Sequence, residues 1–152
     1  MGLIARIVNS LSPEARRLAR LAVVGGESER LAASLERHAE LCGLPRIKDG
    51  LEALAAAEAV DANALHELIL AHGVSPARPA AILRTGSNNW ERLSADLAAE
   101  VELVRALNSA IAEWQGLEPA LAERLRELVA GKERTLTILR GLALKCDPQA
   151  LD

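Results

Sequence analysis

The chain has 152 residues, enough for one domain with a sizeable core and short for two. Half of its residues are apolar, mostly Ala and Leu; Phe and Tyr are missing and Trp90 and Trp114 are the aromatics, a composition that favours helices over strands. The net charge of −3 is spread as interspersed acids and bases, which argues against nucleic acid, and no apolar run approaches the roughly 20 residues that span a bilayer.

The start, "MGLIARIVNSLSPE", is mildly apolar but carries Arg6 and lacks the basic head, long apolar stretch and small-residue cleavage site of a secretory signal. It reads as an N-terminal arm, residues 1–12, forming a short capping helix on a cytoplasmic protein. The first long helix begins at "SPEARRL", where Ser12 can cap and Pro13 takes the tolerated first position, and ends near Cys42. Gly25 and Gly26 are expected to bend or divide it. The second helix runs from about Pro45 to His72 and stops at Gly73. The third starts at Asn88 or Asn89 and continues to Gln115, and the fourth runs from Glu118 or Pro119 to Lys145.

Short links join the first helix to the second and the third to the fourth, so each pair should be an antiparallel hairpin. Between the hairpins lies "GVSPARPAAILRTGSN", 16 residues within the crossover 73–88. Extended, it reaches roughly 50 Å, whereas a 27-residue helix is about 40 Å long. The expected fold is therefore an all-α four-helix bundle, two antiparallel hairpins joined by one long crossover. Isolated residues fill ordinary roles in this reading. Cys42 and Cys146 are small core residues in a reducing compartment, and Trp90 and Trp114 fill helix ends. His38, His66 and His72 are surface or helix-end residues, and Arg16, Arg17, Arg20 and Arg30 form a solvated face.

A repeat supports the two hairpins. Shifting Leu51, Leu54, Glu58, Asp61, Leu65 and Leu68 by 74 residues gives Leu125, Leu128, Lys132, Thr135, Leu139 and Leu142. A shift of 72 places Leu21, Ser28, Leu31 and Leu35 on Leu93, Glu100, Leu103 and Leu107. The stripes share one polar level, made of Ser28, Glu58 with Asp61, Glu100, and Lys132 with Thr135. Carboxylates buried there need partners, because desolvation costs several kcal/mol per ion, and the Lys132 ammonium is the available cation.

This layout resembles the ferritin-like superfamily, in particular its rubrerythrin and bacterioferritin-related branch, over residues 13–145. The resemblance implies a ferritin-like bundle with a di-metal centre built from one Glu on each of two helices and a Glu-x-x-His pair on each of the others. Glu58 stands at the first such Glu, with Asp61 where the His belongs. Glu100 stands at a lone Glu, Lys132 and Thr135 replace the second Glu-x-x-His, and Ser28 replaces the remaining Glu, with Glu29 beside it. Two other phases remain open: Glu133 with Leu136 in the fourth helix, and Glu29 turned inward by a bend at Gly25 and Gly26.

With both histidines replaced and a lysine among the carboxylates, no cofactor and no metal are expected. The competing expectation is one divalent cation held by oxygen ligands from Glu58, Asp61 and Glu100, with Glu29 in the second phase. These departures lead to the expectation of a structural or partner-binding protein without catalytic residues and with an unknown protein partner, enzymatic activity being left open, and the resemblance implies a homo-dimer. The alternative is a metal-binding ferritin-like oxidoreductase with a carboxylate-only site.

Overall fold

A computed structural model describes residues 12–76 and 86–151. Residues 1–11 of the expected N-terminal arm (1–12) and the middle of the crossover (77–85) lie outside the described residues. Four long helices form, α1 (Pro13–Leu41), α2 (Pro45–Ala71), α3 (Asn89–Trp114) and α4 (Pro119–Leu144), followed by a 3₁₀ turn at Pro148–Leu151. Among the described residues there is no strand, and no helix is long and apolar enough to cross a membrane.

The helix starts follow local chemistry. The Ser12 hydroxyl accepts from the Ala15 amide at 3.1 Å, and Pro13 fills the first turn, where no amide donor is needed. Asn88 accepts from the Glu91 amide at 2.9 Å, while the Glu91 carboxylate reaches back to the Ser87 amide at 2.7 Å, a reciprocal cap. α2 and α4 instead begin on Pro45 and Pro119 without a side-chain cap. Beyond α2, Gly73 adopts φ +74°, the left-handed turn that other residues rarely take.

α1 packs on α2 and on α3, and α4 packs on the same two helices, so α1 and α4 are diagonal. Cys42, after the end of α1, accepts from Asn89 at the start of α3, while Arg20 near the start of α1 meets Glu113 near the end of α3. α1 and α3 are therefore antiparallel. Glu58 against Lys132 and His72 against Glu118 make α2 and α4 antiparallel too. It follows that α2 ends and α3 begins at opposite ends of the bundle, and the crossover joins them.

The glycine pair does not divide α1, which is helical from end to end. Both glycines are buried, and a Cβ at Gly25 would lie 2.8 Å from Cδ2 of His66 and 3.3 Å from Ile69. The missing side chain admits the His66 ring between α1 and α2, so the glycine serves close approach.

Two apolar clusters fill the interior. One gathers Leu21, Leu65, Ile69, Leu107, Trp114 and Leu125; the other gathers Leu35, Leu51, Leu93, Leu139 and Leu142. Between them lies the polar level.

Candidate functional site

Ser28, Glu58, Glu100 and Lys132 come from four different helices and are 0–1 % exposed, which makes them as buried as the leucines around them. Thr135, one turn beyond Lys132, is also buried. The Lys132 Nζ donates to Oε2 of Glu58 at 2.6 Å and lies 3.6 Å from Oε2 of Glu100. Ser28 donates its hydroxyl to the same Glu58 oxygen at 3.3 Å. One carboxylate oxygen thus receives two donors, while Oε1 of Glu58 and both oxygens of Glu100 have no hydrogen-bond partner among the described residues.

The charge balance is unequal. Two carboxylates share one ammonium, and ionising all three groups would leave a net negative charge in a dry core. Burial pushes the Glu100 carboxyl up to about 8; Lys132 opposes that shift, and the facing Glu58 carboxyl adds to it. At neutral pH this favours the protonated form of Glu100, beside the Lys132–Glu58 salt bridge.

Asp61 does not join this centre. It is half-buried beside α4, with its Oδ2 within 3.3 Å of where a Gly131 Cβ would stand. Burial raises its pKa first, Lys132 then lowers it, Glu58 raises it and Arg134 lowers it. The inward position belongs to Ala62, because a straight helix turns slightly past a strict seven-residue repeat and carries the stripe from Glu58 onto Ala62 and Leu65. Glu29 is exposed, 3.9 Å from Nε2 of His66, and Glu133 is exposed on α4. The phases that would turn Glu29 or Glu133 inward are thereby corrected, since α1 keeps Ser28 on the core side and α4 keeps Lys132 there.

The oxygen ligands considered for a cation are accordingly scattered. Glu58 and Glu100 meet, Asp61 flanks them, and Glu29 faces outward. No group of three or more His, Cys, Asp and Glu side chains able to hold a metal ion converges among the described residues. The donor set of a di-metal centre does not fit here: an ammonium occupies the space between the carboxylates.

A second buried polar group was not evident in the sequence. His38 is buried, not at the surface, and its Nδ1 lies 2.5 Å from Oδ2 of Asp96, which is equally buried. Ser34 donates to the other Asp96 oxygen at 2.8 Å. Asp96 falls on the buried stripe of α3 between Leu93 and Glu100, a phase signal available from the spacing alone. His72 takes the helix-end role. Its Nδ1 meets the Leu68 carbonyl at 2.7 Å and its Nε2 meets Glu118 at 2.9 Å; these contacts, the carbonyl foremost, raise its pKa. Trp114 is buried at the end of α3, with its ring 6.2 Å from His72. Cys42 is buried; Cys146 is half-buried, and burial, then the neighbouring Cys42, raises its thiol pKa.

No protein-family model matches the chain, and no curated protein matches its sequence.

Proposed function

We propose that the chain is a ferritin-like bundle whose di-metal centre has been replaced by an ion pair and a buried acid, and that it acts as a structural or partner-binding protein. One observation carries this reading: the Lys132 ammonium lies between Glu58 and Glu100 at the level where such a bundle would hold metal. The ammonium cannot ligate while protonated, and it neutralises the carboxylate that would draw a divalent cation. The antiparallel hairpins and long crossover agree with the ferritin-like layout. Exposed apolar side chains such as Val23, Val60, Leu70 and Ile138 give a binding protein surface to work with.

The test is elemental analysis of protein purified without chelator. The expected result is substoichiometric metal that does not change in Glu58→Gln or Glu100→Gln. Stoichiometric iron or manganese lost in both variants would overturn the reading in favour of a metal-binding oxidoreductase on carboxylates. Dimeric assembly and a cytoplasmic location belong to the same proposal, the first tested by mass in solution and the second by fractionation of cells.

A further inference from the structure

The seam between α1 and α3 is open to solvent along roughly 20 Å of its length, from Arg17 to Arg30. It forms two adjoining grooves of about 230 and 460 Å³ that meet at Val24 and Ala106. Its floor is apolar, with Val24, Leu103 and Ala106, and Val23 stands on its lip with 56 % of its surface exposed. Charged residues edge the groove on both sides of this apolar centre.

Their order along α1 is symmetric in position and opposite in sign. Arg20 lies three residues before Val23, and Glu27 lies three residues after Val24. Seven residues apart, they share one side of the helix with the valines between them. Turned end for end about a point between Val23 and Val24, the same helix sets Arg20 opposite Glu27 and Glu27 opposite Arg20. We infer that this face docks a second copy of the chain, α1 against α1 in antiparallel sense, with the valines at the two-fold axis and two Arg20–Glu27 pairs flanking it.

The existing surface pairs leave room for this. Glu113 serves both Arg20, at 2.6 Å, and Arg17, at 4.0 Å, so one carboxylate neutralises two guanidinium groups and Arg20 can take another acid. Glu27 already holds Arg30, and contact with Arg20 of the other copy would extend that pair into a network. The same rotation sets Arg17 opposite Arg30, a like-charged match; each has a carboxylate of its own chain beside it, Glu113 and Glu27 respectively. An isologous contact of this kind closes on itself and yields a dimer, not a filament. This face rests on the dimeric assembly proposed above: a wild-type monomer would remove both, whereas a dimer that survives Val23→Glu would remove this face alone, and neither result bears on the polar core.

The experiment is the mass of the full chain in solution, by light scattering and sedimentation over a dilution series. The expected result is a dimer that Val23→Glu converts to monomer without loss of helix content. Arg20→Glu and Glu27→Arg should each weaken the dimer about tenfold, as two surface ion pairs are lost. The double variant R20E/E27R should dimerise more strongly than either single variant, because the pairs across the interface re-form with their signs exchanged even though the contacts with Glu113 and Arg30 are lost. A wild-type monomer throughout the series would overturn the proposal, as would a dimer that survives Val23→Glu or a double variant weaker than both single ones.

Discussion

The Lys132 ammonium is a full ångström closer to Glu58 than to Glu100, 2.6 against 3.6 Å, although both carboxyl groups are wholly buried beside it. That difference divides the labour of the layer. Glu58 is the hydrogen-bonded partner of the lysine, and Glu100 is the acid whose pKa burial raises to about 8.

Removing the cation should therefore cost more than removing its distant acid. Lys132→Met is expected to destabilise the bundle by about 3 kcal/mol at neutral pH, because Glu58 is left buried without a counter-charge. Replacing the group as a whole, Lys132→Met with Glu58→Leu and Glu100→Leu, should recover most of that loss. Urea denaturation of the three proteins checks both statements. A single variant as stable as wild type would mean that the layer is reached by water.

Glu100 sets a pH dependence whose sign follows from its raised pKa. The unfolded chain releases this proton near the ordinary carboxyl value of 4.5 and the folded chain at about 8. Between those values the folded state binds more protons, so stability from this group is fully present below about 4.5 and is lost as pH rises towards 8. Glu100→Gln mimics the protonated acid and should remove that slope. Its advantage over wild type should grow from pH 5 to pH 8 and then level off, as measured by denaturation midpoints across pH.

His72 has the same sign on a smaller scale. Its contacts with Leu68 and Glu118 favour the imidazolium, so the stability they supply is present below its ordinary pKa and fades as pH rises through the elevated one. Glu118→Gln should lower the His72 pKa, which NMR titration of the ring protons reads directly.

The His38–Asp96 pair should matter more than any surface ion pair. Asp96→Ala leaves His38 and Ser34 without their partner in the core and is expected to cost about 3 kcal/mol, whereas Glu40→Ala, which frees exposed Arg37, should cost less than about 1 kcal/mol. Equal losses by thermal unfolding would show that the pair is already hydrated.

Gly25→Ala tests whether that glycine is there for room. Helix propensity alone favours Ala by about 1 kcal/mol, but the new methyl would meet the His66 ring at 2.8 Å. The variant should be less stable than wild type, and in a His66→Ala background the same change should become stabilising.

The four helices, their ends and the level of the polar layer were legible because capping residues, prolines, glycines and seven-residue spacing are properties of single helices. What faces what across the bundle was less legible. Asp96 and His38 each sit on a buried stripe, yet their meeting depends on the axial stagger of α1 against α3, which no periodicity within one helix encodes. Asp61 illustrates a finer limit: it and Ala62 are neighbours on α2, and the gradual turn of a straight helix decided which of them faced the core. Gly25 looked like a breaker because its packing partner, His66, lies 41 positions away on another helix.

The two hairpins repeat one leucine pattern, so their greasy surfaces alone would let like pair with like: two α1–α2 halves from separate chains could mate as readily as the two halves of one. The polar layer opposes that exchange in the first half. Like pairing of two first halves would press Glu58 against Glu58 with no ammonium, the cation that meets Glu58 being Lys132 on the second half. Putting the base on one half and an acid on the other makes each half recognise its sibling, and so holds a near-duplicated chain to a single way of folding.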